Sequence, residues 1–171
     1  CLTVPGTGAE LRWQLDAGER APKKSNATTS YAPPLITRFE GDGAVEASTR
    51  GGQRVTIVGD HFGADASAID SVRYGDRGEL EFNITDTCEL IVPHTTIRCT
   101  TIAGAGGAAI EWVVVVSGQR SVAPRTSAAP PTIDRIEIRN GTDGAMATVA
   151  GVTGGDVLLV HGEHFTATTS R

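Results

Sequence analysis

Hydrophobic and polar residues alternate along several short segments of the chain. In Arg54-Val-Thr-Ile-Val58, Val55 and Ile57 fall on one face of an extended strand, and Arg54, Thr56 and Val58 fall on the other. Successive side chains of a strand point to opposite faces, so the face with Val55 and Ile57 is expected to lie against a core. Similar segments, most of them bounded by Gly, Asp, Asn or Pro, predict further strands at residues 36–39, 71–74, 79–83, 90–92, 97–101 and 110–117.

A tetrapeptide of glycine, an acid, histidine and phenylalanine occurs twice, as Gly59-Asp-His-Phe62 and as Gly162-Glu-His-Phe165. The residues that precede the two copies align without a gap, 103 positions apart. In this alignment Leu158 and Val160 take the places of Val55 and Ile57. A second core-facing strand is therefore predicted beside the second tetrapeptide.

Other segments recur at nearly the same distance. The segment that begins at Cys1 aligns with the one that begins at Cys99, and each continues to a tryptophan, Trp13 or Trp112. Residues 34–39 likewise align with residues 131–136. Self-similarity at a fixed period indicates a structural unit of roughly 100 residues. We expect residues 1–33 to be the C-terminal part of a first domain plus a linker, residues 34–130 a complete domain, and residues 131–171 the N-terminal part of a third, so that the chain is a section of a longer array.

The segments between these units have a distinct composition. Residues 18–34 and 117–131 are rich in Pro, Ser, Ala and Thr, and each ends in a Pro-Pro pair. Paired prolines favour an extended backbone, so both segments are expected to be short, stiff junctions.

Composition also favours strands over helices. Aromatic residues make up only 5% of the chain, and Ala, Val, Thr and Ile supply most of its remaining apolar and β-branched content. About seven short strands in about 100 residues, together with a spaced cysteine pair, suggest an antiparallel β-sandwich of immunoglobulin-like type.

Four segments of the central unit, followed by a glycine-rich turn, carry a resemblance to a known family. They are Pro34-Leu-Ile-Thr-Arg-Phe39, Gly51-Gly-Gln-Arg-Val-Thr-Ile-Val-Gly-Asp-His-Phe-Gly63, Val72-Arg-Tyr-Gly75 and Ile97-Arg-Cys-Thr-Thr101. The unit resembles an IPT/TIG domain, the immunoglobulin-like module of plexins, Met-type receptors, fibrocystin-like surface proteins and some transcription factors. The sequence departs from the family pattern at His61 and His164, where the family often has Asn or a small residue, and at Ala103, where a proline is usual. The resemblance implies immunoglobulin-like sandwiches in tandem and leaves the partner open.

Cysteines and glycosylation sequons indicate the compartment. Cys88 and Cys99 stand 11 residues apart on either side of a turn-like segment, which makes them natural disulfide partners in an oxidising environment. Cys1 aligns with Cys99, so its partner is expected to lie outside this sequence. Three Asn-x-Thr sequons, at Asn26, Asn83 and Asn140, are candidate sites for N-linked glycans. These features favour an extracellular or cell-surface protein, while reduced thiols and unused sequons stay open as the alternative.

Candidate chemistry is sparse. His161-Gly-Glu-His164 has the appearance of a metal site, but the segment ends a strand at a glycine, and His161 aligns with Val58. We therefore expect no metal ligands here. His61 and His164 are instead expected to support the turn beside Phe62 and Phe165, which would close the end of a sandwich.

The remaining sequence signals argue against catalysis, nucleic acid and membrane contact. No serine lies in a Gly-x-Ser-x-Gly segment, and the glycine-rich residues 103–107 lack the Lys-Ser/Thr ending of a phosphate loop. We expect no catalytic residue and no cofactor. The net charge of −5 and the absence of a basic run beyond Lys23-Lys24 argue against nucleic acid as a partner. No apolar stretch approaches the length that spans a membrane.

One strand has an unusual outer face. If Trp112, Val114 and Val116 face the core, then Val113 and Val115 face outward, where Gln14 and Asp16 stand in the aligned copy. Exposed valines on a strand suggest that a neighbouring domain or another chain packs against them. Valine is equally well explained as a residue that is tolerated on an exposed strand.

These observations favour a non-catalytic region of a large surface or secreted glycoprotein, in which tandem domains act as spacers and adhesion or assembly modules. Its partners would be other protein chains, either identical copies or a surface receptor or ligand. The alternative is an intracellular IPT-type DNA-binding or dimerisation module. A carbohydrate-binding module would need an exposed aromatic platform and is disfavoured, because both tryptophans are expected to be buried.

Overall fold

A computed structural model describes residues 2–18, 20–76, 80–104, 106–121, 126–147, 149, 151 and 154–165. Cys1 and Glu79, which enter two of the predictions above, lie outside these residues. Regular structure in the described residues is nearly all β, which confirms the predicted all-β class. The two helices are three-residue 3₁₀ turns, and no helix of this part of the chain could cross a membrane. The strands are β1 (Leu11–Leu15), β2 (Lys23–Thr29), β3 (Leu35–Glu40), β4 (Arg54–Asp60), β5 (Ile69–Asp76), β6 (Phe82–Asn83), β7 (Cys88–Val92), β8 (Thr96–Thr100), β9 (Ile110–Val116), β10 (Gln119–Arg120), β11 (Thr132–Arg139), β12 (Met146–Ala147) and β13 (Val157–Glu163).

The strands form four antiparallel sheets. β1 and β2 form a two-stranded sheet near the N-terminal end of the described residues. The central residues form two four-stranded sheets, with strand orders β3-β4-β8-β7 and β10-β9-β5-β6. β12, β11 and β13 form a three-stranded sheet in that order.

The two four-stranded sheets contribute to one hydrophobic core. Along β9 every second residue is buried, as the alternating sequence pattern predicts, and Trp112 is only 2% exposed. Val55 and Ile57 of β4 are fully buried, also as predicted. The Trp112 ring lies 4.6 Å from the Tyr74 ring and 5.5 Å from the Phe39 ring, measured between centroids, so aromatic residues link both sheets.

The three-stranded sheet repeats the pairing of β3 with β4. Ile36 pairs with Gly59 and Arg38 with Val58, with a shift of register between these pairs. The pairing of β11 with β13 has the same shift at the aligned residues. Leu158 and Val160 nevertheless do not lie against a core, because they are 58% and 47% exposed. The prediction of a buried face was correct for β4 and wrong for β13.

The predicted junctions also contain regular structure. Residues 18–34 were expected to form an extended linker, but Lys23–Thr29 is a strand that pairs with β1. In the second junction, Ala128 forms a bridge with Ala47, and Thr126 forms one with Ile110. The described part of this segment therefore packs against the central sheets instead of spanning a gap.

Candidate protein-interaction surfaces

The Gly-acid-His-Phe tetrapeptide forms a tight corner at the end of β4. Gly59 lies so close to the neighbouring strand that a Cβ atom would come within 2.0 Å of the Leu35 carbonyl oxygen. His61 then adopts a left-handed backbone conformation, with φ of 67°, which ends the strand. The turn delivers Phe62 into the core, where it is completely buried.

The second copy forms the same corner at the end of β13. A Cβ atom on Gly162 would come within 1.9 Å of the Thr132 carbonyl oxygen, and His164 has φ of 60°. Phe165, however, is 45% exposed, so the predicted closing role of the phenylalanine holds for Phe62 alone. The two copies thus share the backbone geometry of the corner but differ in the burial of the phenylalanine that follows it.

Each corner also lines a cleft together with the segment that precedes its own sheet. His61 and Gly63 line a cleft of about 220 Å³ with Gly6, Tyr31 and Ala32. Polar contacts hold this first junction: Thr7 Oγ1 lies 2.7 Å from Ser117 Oγ, and Gln119 Nε2 donates to the Tyr31 carbonyl at 3.1 Å.

A second junction uses aligned residues. His164 and Phe165 line a cleft of about 270 Å³ with Gly107, Ala129 and Pro131. Ala129 aligns with Ala32 of the first junction, and His164 aligns with His61. Arg50 lies 3.6 Å from Glu163 across this junction. The sequence predicts a turn at each histidine but carries no signal for the cleft between that turn and the preceding segment.

Cys88 and Cys99 form a disulfide with an S–S distance of 2.05 Å. The two residues are directly opposite each other on β7 and β8, so the bond joins neighbouring strands of one sheet. Cys99 is fully buried in the core. The disulfide therefore holds an edge strand, β7, onto the core-facing strand β8.

The three sequon asparagines are exposed. The Asn140 Oδ1 accepts a hydrogen bond from the Thr142 N–H at 2.8 Å, and the Asn83 Oδ1 accepts one from the Thr85 hydroxyl at 2.7 Å. Asn26 lies in β2, beside the irregular pairing opposite Trp13. All three asparagines thus lie on the surface of the described structure.

Val113 and Val115 lie on the outer face of their sheet, where both are half-buried. Val113 pairs with Arg73, which pairs in turn with Asn83, so the three residues form one row across the sheet. A glycan on Asn83 would leave the sheet on the same face as Val113, about 10 Å away. The outer face therefore places a candidate interaction strand and a candidate glycan side by side.

Both histidines of His161-Gly-Glu-His164 lie near carboxylate groups. His161 Nε2 lies 3.3 Å from the Glu137 carboxylate, which also accepts from Arg135 at 2.6 Å. His164 Nε2 lies 3.9 Å from Glu163. No group of three or more potential ligands occurs among the described residues.

Packing and hydrogen bonding shift the pKa values of two ionisable groups, Tyr74 and Asp156. Burial raises the pKa of Tyr74, and the hydrogen bond that its hydroxyl oxygen accepts from the Ile102 N–H opposes this shift only in part. The pKa of Asp156 is lowered because its carboxylate accepts hydrogen bonds from the Gly151 and Gly141 N–H groups. Asp156 thereby ties two loops to the start of β13.

Trp13 was expected to be buried but is 50% exposed. It lines an open apolar cleft of about 580 Å³ with Leu2, Val4, Leu11 and Tyr31. The expectation was wrong because the sheet of β1 and β2 has no second sheet over this face in the described structure. Trp13 is therefore an exposed aromatic residue, contrary to the expectation that both tryptophans are buried.

A comparison with models of known protein families finds no family that matches the chain, and searches of curated proteins and of solved structures find no match either.

Proposed function

We propose that the chain is a non-catalytic, extracellular region of a larger surface or secreted glycoprotein, built from tandem immunoglobulin-like units of IPT/TIG type. In this proposal the units act as spacers and as protein-interaction modules. The observation that carries it is the recurrence of one corner at aligned positions, Gly59 to Phe62 and Gly162 to Phe165. Because the corner has the same backbone geometry in both copies, its recurrence supports a repeated structural unit.

The packing of the central residues supports an immunoglobulin-like sandwich. Two four-stranded antiparallel sheets share one core, and Trp112 lies within it beside Tyr74 and Phe39. The two junctions support a tandem arrangement, since Thr7 contacts Ser117 across the first and Arg50 lies 3.6 Å from Glu163 across the second. Such contacts would fix the angle between neighbouring units and so favour a rod.

The disulfide and the exposed sequons support the extracellular compartment. A cross-strand disulfide persists in an oxidising environment and is rare in a reducing one. Asn26, Asn83 and Asn140 would carry N-linked glycans, and the outer face with Val113 and Val115 would contact another protein chain. Glycans around such a face restrict the directions from which a partner can approach.

Peptide mass mapping of the natural protein, without reduction and before and after enzymatic removal of N-linked glycans, tests this proposal. The expected result is a peptide pair crosslinked through Cys88 and Cys99, and a mass shift at one or more of the three asparagines after deglycosylation. Free thiols together with unmodified asparagines would overturn the extracellular assignment and favour the intracellular DNA-binding alternative.

A further inference from the structure

The loop between β11 and β12 contains an asparagine followed by a glycine, Asn140-Gly141. A bond between the Gly141 nitrogen and the Asn140 Cγ atom would close a five-membered ring. The two reacting groups belong to adjacent residues, so no second molecule has to be brought to them. Glycine has no Cβ atom to hinder the approach. Residues 140–144 are exposed, so water reaches this loop.

Two hydrogen bonds hold the reacting groups. The Asn140 Oδ1 accepts from the Thr142 N–H at 2.8 Å, so a donor already lies where negative charge would develop when the amide carbon is attacked. The Gly141 N–H donates to the Asp156 Oδ1 at 3.2 Å, a distance at which a carboxylate can act as the base for that proton. The other Asp156 oxygen accepts from the Gly151 N–H at 2.5 Å, which holds the carboxylate in place. All of these residues belong to the three-stranded sheet and its loops.

Asn83 has only part of this arrangement. Its Oδ1 also accepts from the N–H two residues further on, that of Thr85, at 3.2 Å. The residue that follows it is Ile84, which is 1% exposed, and the Ile84 N–H donates to the Val72 carbonyl at 3.0 Å. A carbonyl takes up no proton at neutral pH, and a β-branched side chain crowds the attacking nitrogen. Asn83 is therefore an internal reference that is expected not to react.

We propose that Asn140 converts to isoaspartate and aspartate through a cyclic imide, with Asp156 as the base and the Thr142 N–H as the donor to the developing oxyanion. The Gly141 nitrogen forms a bond to the Asn140 Cγ atom while its proton passes to the Asp156 carboxylate. The bond between Cγ and the side-chain nitrogen then breaks, and the leaving nitrogen takes that proton and departs as ammonia. Water adds to either ring carbonyl and reopens the ring, so water is the only co-reactant.

The conversion and the glycan at this sequon exclude each other. An N-linked glycan would be attached to the nitrogen that leaves as ammonia, so the reaction is expected on copies without a glycan at Asn140. A converted residue has no side-chain amide left to accept one. The inference goes beyond the function proposed above and does not require that any sequon is occupied.

A time course on the 171-residue chain, produced without glycans, tests the proposal. The chain is incubated at neutral pH, folded or in denaturant, and is followed by peptide mass mapping with fragmentation and by an isoaspartate assay. Deamidation at Asn140 is expected to be faster in the folded chain than in the denatured chain. In the folded chain Asn26 and Asn83 are expected to stay unchanged over the same period.

Asp156→Asn is expected to slow the reaction in the folded chain by about a hundredfold, the lower end of what a positioned base contributes. Asp134→Asn is the matched control, because it removes the same charge from β11, outside the loop. This control is expected to react at the wild-type rate, and circular dichroism checks that both variants keep the fold.

Two results would overturn the proposal. They are a folded wild-type chain that reacts no faster than the denatured chain, and an Asp156→Asn rate equal to that of Asp134→Asn. The first comparison needs no variant, so the proposal stays testable if Asp156→Asn alters the loop. Neither result bears on the disulfide or on the glycans of the natural protein, so the proposed function is tested separately.

Discussion

The Trp112 Nε1 group donates a 2.7 Å hydrogen bond to the Thr126 hydroxyl in the interior of the central core. Trp13 makes the corresponding bond to the Thr29 hydroxyl, at 3.1 Å and exposed to solvent. The two bonds join aligned tryptophans to a threonine on the segment that follows. One interaction thus occurs in a buried and in an open setting within a single chain.

Thr126→Val is expected to destabilise the chain by about 1–3 kcal/mol, because it leaves the buried indole N–H without a partner. Thr29→Val is the matched control, and we expect a change below about 0.5 kcal/mol, because water can replace the exposed hydroxyl. Guanidinium unfolding followed by circular dichroism gives both values. Equal losses in the two variants would contradict the difference in burial.

The left-handed backbone at His61 predicts which substitutions the corner accepts. Asn adopts this conformation readily, so His61→Asn is expected to be close to neutral. His61→Val is expected to cost about 1–2 kcal/mol, because the Cβ atom of a left-handed residue crowds the following carbonyl oxygen and valine is branched there. Urea unfolding compares the variants, and equal stability of the two would show that the conformation imposes no cost.

The disulfide predicts a large loss on reduction. Cys88 and Cys99 are 11 residues apart, and closing a loop of this size in the unfolded chain is worth about 3 kcal/mol. We expect this loss of unfolding free energy in a reducing buffer. The double variant Cys88→Ala with Cys99→Ala serves as the control, since its stability should not respond to the reductant. An unchanged wild-type stability after complete reduction would contradict the prediction.

Much of the central fold could be predicted from the sequence. The alternation in Arg54-Val-Thr-Ile-Val58 gave the correct buried face, and the strands predicted at 36–39, 71–74, 90–92, 97–101 and 110–117 each overlap an observed strand. Period-two alternation is informative where one face of a strand is buried and the other is not. The strand Lys23–Thr29 has no such contrast, because six of its seven residues are exposed and all but Ala27 are polar.

The interaction surfaces were less predictable. Alignment with Trp112 suggested that Trp13 is buried, and alignment with Val55 suggested the same for Leu158, yet both are at least half exposed. Equivalent sequence fixes the conformation of a strand, whereas burial depends on which other elements pack over it. A sequence pattern therefore does not show whether an apolar strand face is buried or exposed unless it also indicates which element packs over that face.

The pKa of Tyr74 predicts how stability changes at alkaline pH. Burial raises this pKa, so the folded state keeps the phenolic proton at a pH where the unfolded chain has lost it. The contribution is fully present below the unfolded pKa of about 10 and is lost as the pH rises from there through the folded pKa. Unfolding midpoints measured between about pH 8 and 12 are expected to fall more steeply for the wild-type chain than for Tyr74→Phe. Parallel curves would contradict the assignment.

The outer face of β9 predicts a selective effect on assembly of the natural protein. Val113 and Val115 are half-buried on this face, and contact with another chain would remove their methyl groups from water. Val113→Thr with Val115→Thr keeps the β-branched shape and replaces one methyl group of each residue by a hydroxyl. We expect a lower assembled fraction with an unchanged unfolding midpoint. Val45→Thr, at a position that is 70% exposed and outside the strands, is the matched control. Sedimentation of the natural protein with each change measures the assembled fraction, and a fraction equal to that of the control would show that this face makes no contact.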